Sequence, residues 1–301
     1  MTTSRRGFTL VELLITMTIL GLLGTLVATV MMGQQRFYQR TTQQMDVRRE
    51  LRTAVNVMSA ELRAVSSAGG DVVTFDKMSI TFRNMLGSAV VCNTPSRTQL
   101  DLAPANMGRI QLSSWTSDPA VGDTVVVLRS DSSGVKGEFW SSHRITAIAS
   151  STTYCPSSPY LDAALDAAKA RTRLTVTPTL PDSVLAGSAL RLLRTTRYAL
   201  ATQASGNTYL ERTEYTAGAW GTAVPIAGPF EAASAAGTGG LGFAMYDSVG
   251  TAVTAVASSR NIARIDVTAR AAGERSSGVV GSGTTSVLDS LSISVALRNR
   301  R

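Results

Sequence analysis

Arg5-Arg6-Gly7-Phe8-Thr9-Leu10-Val11-Glu12-Leu13-Leu14 opens an apolar run that continues to Met32. A short basic leader ends at a glycine, the run begins at the next residue, and one carboxylate, Glu12, lies inside its start. Phe8 to Met32 is about 25 residues, enough to cross a hydrocarbon core of roughly 30 Å as a helix. The run holds no Lys, Arg, Asp, His or Pro. Thr16, Thr18, Thr25 and Thr29 are tolerable in lipid, because a threonine hydroxyl can bond back to its own helix's carbonyls. Gly21 and Gly24 leave room for another helix to come close. A buried core helix competes with this reading, but core helices are seldom apolar on every face for so long. A secretory signal predicts a shorter apolar region and a small-residue cleavage site beyond it. Here Gln34-Gln35-Arg36 follows instead.

Glu12 is the anomaly. A carboxylate at the bilayer centre costs roughly 2.5–3.5 kcal/mol, and an intramembrane acid is by default a functional residue with a partner to be named. Glu12 sits only about a turn in, so its cost is lower. No basic residue of the run can pair with it. Arg5 and Arg6 belong on the cytosolic side by the positive-inside rule, a weak signal because Arg36 and Arg40 flank the other end. Cleavage after Gly7 would create a new cation, the α-amine of Phe8. Glu12 of one subunit could then pair with the Phe8 amine of its neighbour.

Gly7-Phe8-Thr9-Leu10-Val11-Glu12 resembles the processing motif of type IV prepilins and type II secretion pseudopilins. That resemblance implies that a membrane peptidase cuts after Gly7 and N-methylates Phe8, and that Glu12 guides assembly. The motif region covers about a fifth of the chain. Major pilins usually carry a proline midway along the membrane helix, and this chain has none there, which fits a minor pilin or pseudopilin. Arg197-Tyr198-Ala199-Leu200 followed by Tyr209-Leu210-Glu211-Arg212 looks like the hairpin of PilW-like minor pilins and related J-type pseudopilins. Ile262-Ala263-Arg264-Ile265-Asp266-Val267 and Ala296-Leu297-Arg298-Asn299 are similar to their closing strands. The resemblance implies partners: other pilins or pseudopilins, the prepilin peptidase, the inner-membrane assembly machinery and membrane lipid. In pseudopilins the tip subunit typically lacks the glutamate, so Glu12 argues against that position.

After Met32 the chain turns polar. From Val47 the apolar positions Leu51, Val55, Met58, Leu62 and Val65 recur at helical steps, with Arg48, Arg49, Arg52, Glu61 and Arg63 off the stripe. The expected helix therefore runs 8–66, with 8–32 in the membrane and one later face packed on a domain. Ser66-Ser67-Ala68-Gly69-Gly70 supplies the glycine stop. Beyond Gly70 the period becomes two, and turn residues separate short strands. Strands are expected at 72–75, 78–82, 99–102, 124–128, 144–148, 173–176, 190–200, 208–215, 241–246, 263–268 and 291–297. Ser205-Gly206-Asn207 reads as a hairpin turn. Tyr160 to Lys169 reads as a short helix, and Ala271 to Ser286 as a loop. The fold class is α+β: a long N-terminal helix on a mainly antiparallel β domain spanning 70–301, with an inserted β subdomain at 90–181.

The chain has 301 residues, 44% of them hydrophobic, and a formal net charge of +8. That suits one membrane segment plus one sizeable domain or two small ones. A basic surface can attract nucleic acid or anionic lipid, but the arginines are scattered and not interleaved with aromatics. Cys92 and Cys155 are the only cysteines. An even count in an exported domain suggests one disulfide, which would stabilise by about 4 kcal/mol if unstrained; two unpaired thiols are the alternative. Two cysteines and the lone His143 do not make a four-ligand metal set. Gly237-Thr238-Gly239-Gly240-Leu241-Gly242 fits a dinucleotide fingerprint by letter, but a strand-like segment follows it where a helix is required. Asp131-Ser132-Ser133-Gly134 lacks the acidic alternation of a calcium loop. No nucleophile, base and carboxylate stand at a readable spacing, so no enzyme activity, metal or cofactor is expected.

Two functional classes follow. One is a structural subunit of a type IV pilus or secretion pseudopilus, held in the cytoplasmic membrane by one pass with its domain outside the cytoplasm, and then carried to the cell surface. The other is an exported binding or enzymatic domain with a plain membrane anchor, which needs neither Gly7-Phe8 nor Glu12. A narrower variant of the first is a subunit that aids DNA uptake.

Overall fold

The computed structural model describes residues 9–104, 113–129, 139–155, 159–160, 164–166, 168–232, 239–272 and 288–297. Helix α1 (Leu10–Leu62) is one rod of 53 residues, about 80 Å long at 1.5 Å per residue. Thr9, in extended backbone, starts it: its Oγ1 accepts the Glu12 N–H at 3.3 Å, so a helix-end donor is satisfied. Thr16, Thr18, Thr25 and Thr29 each donate their hydroxyl to a carbonyl three residues back, at 2.8–2.9 Å. The rod stops at Leu62, short of the expected Ser66. The Asp71 carboxylate takes the Ser66 N–H at 2.9 Å, and Gly70 turns the chain at φ +79°, a conformation that suits glycine.

The strands that follow are β1 (Val72–Phe75), β2 (Ile80–Ser96), β3 (Gln99–Leu102), β4 (Ser114–Trp115), β5 (Thr124–Arg129), β6 (Phe139–Ser151) and β7 (Arg171–Thr177). Then come β8 (Ala189–Thr202), β9 (Thr208–Thr216), β10 (Ala219–Trp220), β11 (Val224–Phe230), β12 (Leu241–Tyr246), β13 (Arg264–Ala272) and β14 (Leu288–Ala296). All pairings among the described residues are antiparallel. The molecule is thus α+β, a long helix on a large antiparallel sheet.

That sheet makes two units. In the first, β1, the start of β2, the end of β8, β9, β11, β13, β12 and β14 form an open sheet. The second half of α1 lies across it. Val47, Leu51, Ala54, Val55, Met58 and Leu62 share a buried core with Ile80, Phe82, Tyr198, Leu210, Ile265 and Val295. In the second unit the ladder returns on itself. β2 pairs with β3, β3 with β7, β7 with β6, β6 with β5, β5 with β8, and β8 again with β2. This is a closed six-stranded barrel. Leu86, Val91, Leu100, Leu102, Val125, Val127, Ile145, Leu174, Leu190 and Leu192 fill it.

The barrel that holds the expected insertion, 90–181, therefore shares two strands with the helix-backed sheet: β2, which starts before it, and β8, which lies beyond it. β2 contributes Ile80 and Phe82 to one core and Leu86 and Val91 to the other, and β8 does the same with Tyr198 and Leu192. The register of β2 against β8 shifts between Met85 and Gly87, where β4 also pairs. A Cβ on Gly87 would lie 2.0 Å from the Ser114 carbonyl oxygen, so only glycine fits this crossing.

Several elements differ from the sequence expectation. Residues 164–166 and 168–169 lie in turns and bends rather than a helix. Local polar contacts hold the turn: Asp166 is buried and paired with Lys169 at 2.8 Å, and its carbonyl accepts an Arg171 N–H at 3.0 Å; residues 161–163 and 167 of the expected helix lie outside the described residues. Strand β2 runs far past Phe82, and β11 was not expected at all. The interval 273–287, most of the expected loop, lies outside the described residues, as do Asp131 to Gly134 and the Gly237-Thr238 start of the glycine cluster.

A chain of alternating charges joins the two units. Glu61 on α1 pairs with Arg212 on β9 at 3.2 Å. Arg212 also pairs with Glu214, Glu214 with Arg194 on β8 at 3.1 Å, and Arg194 with Asp123, just before β5, at 2.9 Å. Asp123 and Arg194 are buried. The bonds to Asp123 and Glu214 raise the Arg194 guanidinium further above its usual range. Burial works against ionisation of Glu214, but hydrogen bonds from Arg212 and Arg194 hold its carboxyl below the usual carboxylate range. The buried Tyr198 hydroxyl donates to Glu61 at 2.8 Å; burial, then the Glu61 charge, pushes its pKa well above the usual phenol value.

Candidate assembly site

Among the described residues, the first half of α1 has no partner within the chain. From Leu10 to Arg40 every helix residue is exposed, and Val47 is the first buried one. The most apolar 18-residue window of the helix has a mean hydropathy of 2.2, with none of it buried. An isolated apolar cylinder of this kind is costly in water and long enough to span a hydrocarbon core. It satisfies its own backbone and folds its threonine hydroxyls back, which is what lipid requires of a spanning segment.

Glu12 stands near the start of this rod. Thr9-Leu10-Val11-Glu12 is the spacing of a capping box, a signal that the sequence reading did not use. The structure realises one half of the box: the Glu12 backbone donates to Thr9 Oγ1. The Glu12 carboxylate is exposed and meets no basic side chain among the described residues. Its position in the first turn suits the positive end of the helix dipole. The dipole accounts for an acid near this end, but it offers no full counter-charge in lipid. Gly7 and Phe8, the other two residues of the expected site, lie outside the described residues.

Between the apolar rod and the domain, Arg36, Phe37, Tyr38 and Arg40 are exposed, and the Phe37 and Tyr38 rings meet edge to face at 6.2 Å. Basic and aromatic residues directly beyond an apolar span suit the headgroup region of a bilayer.

The remaining candidates fall away from this site. Cys92 on β2 and Cys155 after β6 are both buried in the barrel unit, and the structure brings their Cα atoms to 5.6 Å, a spacing a disulfide spans. His143 on β6 is buried; its Nδ1 lies 2.8 Å from the Pro178 carbonyl and its Nε2 2.9 Å from Ser141 Oγ, the setting of a satisfied core histidine. Of the glycine cluster, Gly239 and Gly240 are followed by β12 and not by a helix. Gly240 packs where a Cβ would meet the Glu231 carbonyl at 2.5 Å, which accounts for that glycine without a ligand. No group of three or more His, Cys, Asp or Glu side chains is placed to hold a metal among the described residues.

Residues 2–28 match the family model described as the prokaryotic N-terminal methylation motif. The matched span contains Gly7, Phe8, Glu12 and most of the apolar half-helix. No curated protein and no solved structure matches the chain. The N-terminus therefore carries a prokaryotic N-terminal methylation motif, and the β domain is read from its own geometry alone.

Proposed function

We propose that the chain is a structural, minor-pilin-like subunit of a type IV pilus or secretion pseudopilus. The observation that carries this reading is Glu12, exposed and without a basic side chain beside it among the described residues, on a fully exposed apolar half-helix inside a methylation motif. The chain is held by a single membrane pass, with the β domain outside the cytoplasm. The prepilin peptidase cuts after Gly7 and the new Phe8 amine is methylated. Methylation leaves the amine cationic. In lipid an unpaired carboxylate is penalised, and docking beside a neighbour's amine relieves that penalty. Assembly is favoured over dispersal, and the axial offset is fixed, because one stagger brings Glu12 level with a neighbour's Phe8. A plain anchor for an exported enzyme or receptor would need no such carboxylate.

The test is Glu12→Gln in the native host, scored by mass spectrometry of the mature N-terminus and by shearing filaments from cells. The variant is expected to be cut at the same bond and inserted normally, yet to be depleted at least about tenfold from sheared filaments, the equivalent of roughly 1.4 kcal/mol. Equal incorporation of wild type and variant would remove Glu12 from the mechanism. A wild-type N-terminus still carrying residues 1–7 would remove the pilin reading altogether.

A further inference from the structure

The half of α1 that packs on the domain turns its other side outward, and that side is basic. Met45, Arg49, Arg52, Asn56 and Arg63 follow one another at steps of four, three, four and seven, so they line one stripe. The stripe lies opposite the buried Val47, Leu51, Val55, Met58 and Leu62. All five of its members are exposed. Arg48, to one side, is paired with Asp289 at 2.9 Å. Arg49, Arg52 and Arg63 have no acidic side chain within ion-pair distance among the described residues.

The helix cannot neutralise this stripe from a second copy of itself. Past Met32 its carboxylates are Asp46, Glu50 and Glu61. Glu61 is committed to Tyr198 and Arg212, and Glu50 accepts the Gly228 N–H at 3.1 Å. Asp46 alone is left against three outward arginines. Helices packed side by side bring such charges within a few ångströms, where like charges repel and an unpaired guanidinium is costly to dehydrate. Arginine on a rigid helix also presents a fixed fork that suits carboxylates in particular.

We propose that the Arg49–Arg52–Arg63 stripe docks a different filament subunit, one whose helix carries carboxylates at matching spacing. It follows that this chain packs beside itself poorly and enters an assembly among unlike neighbours. This rests on the reading of the chain as a filament subunit.

The test places a benzophenone photo-crosslinker at Asn56 of the full-length chain in the native host. Irradiation is expected to join the chain to a second, different protein with an acidic helix. The triple reversal Arg49→Glu, Arg52→Glu, Arg63→Glu is expected to lower the yield roughly tenfold, the triple glutamine variant to give an intermediate loss, and acid-to-arginine changes in the partner to restore the reversed chain. An adduct with a second copy, an adduct only to lipid or nucleic acid, or a protein adduct indifferent to the reversal would each overturn the proposal. Filament shearing in parallel separates the two readings. A charge-dependent adduct from a chain absent from filaments overturns the filament reading alone, whereas a chain present in filaments with a charge-indifferent adduct overturns the acidic neighbour alone.

Discussion

The helix-backed sheet and the closed barrel share β2 and β8 yet bury their apolar faces in different ways. The open sheet depends on an element from outside it: without α1, Phe82, Tyr198 and Val295 would face water. The barrel needs nothing else, since six strands return on themselves and Leu100, Val125, Ile145 and Leu174 meet at its centre. Closure also removes the free strand edges that invite unwanted pairing. The lesson is that the two halves of α1 stand in different environments. Its first half is apolar and exposed on every side among the described residues, its second half seals one face of one unit, and the barrel makes no demand on it beyond the charge chain that starts at Glu61.

The largest expected effect comes from cutting that chain at its most buried link. Arg194→Met leaves Asp123 without its counter-charge, and stranding one partner of a buried pair costs about 3–5 kcal/mol. Denaturant unfolding of the full chain in micelles would show it. A loss below about 1 kcal/mol would mean that the two units are held together by their shared strands alone.

The next comparison tests those strands. Met58→Ala opens the helix-backed core and Leu100→Ala opens the barrel core, and each is expected to cost about 2–5 kcal/mol. Because β2 and β8 run unbroken through both units, each substitution should shift one common transition. Hydrogen exchange showing protection lost from a single unit would break the expectation and make the barrel an independent folding unit.

Third, replacing Cys92 and Cys155 with serine is expected to cost about 2–4 kcal/mol, and only if the two sulfurs are bonded in the exported chain. Alkylation before and after reduction gives the bonding state. Two thiols that react without reductant would remove this difference between the units.

The smallest expected effect is of pH. The Glu214 carboxyl sits below its usual range in the folded chain, so its contribution is present above the ordinary carboxylate range and is lost as pH falls through its folded value. Acid should loosen the junction between the units, and Glu214→Gln should flatten that part of the stability curve. An unchanged acid limb in the variant would assign the sensitivity elsewhere.

The sequence showed the helix best, because twenty-odd apolar residues and a stripe at Val47, Leu51, Val55, Met58 and Leu62 are signals that local chemistry fixes. Strands with clean alternation, such as 72–75, 99–102 and 241–246, were legible to the residue. Strand length was not. β2 reads as broken at Asn84 and Gly87, and only its partners β8, β3 and β4 keep it extended; long-range pairing of this kind overrides propensity. β11 holds Pro225, Gly228 and Pro229, residues that read as turn signals, but it lies between β9 and β13 with a shifting register that tolerates them. Ring closure was out of reach because no local pattern records that β8 returns to β2. At the candidate site, the residue types and their spacing were all readable. What the sequence reading left out was the Thr9 cap, although the capping-box spacing was there to see.

If the domain is exported as proposed, the shared strands also set an order of events during that passage. A chain that crosses the membrane from its N-terminus delivers β2 first, while β8, which completes its ladder in both units, arrives only after the whole barrel sequence has passed. Pairing so distant in sequence is slow to form. Until it does, the edge of β2 that β8 will cover stays unpaired. The chain thus has a window of vulnerability built into its topology, and it closes when Ala189–Thr202 emerges.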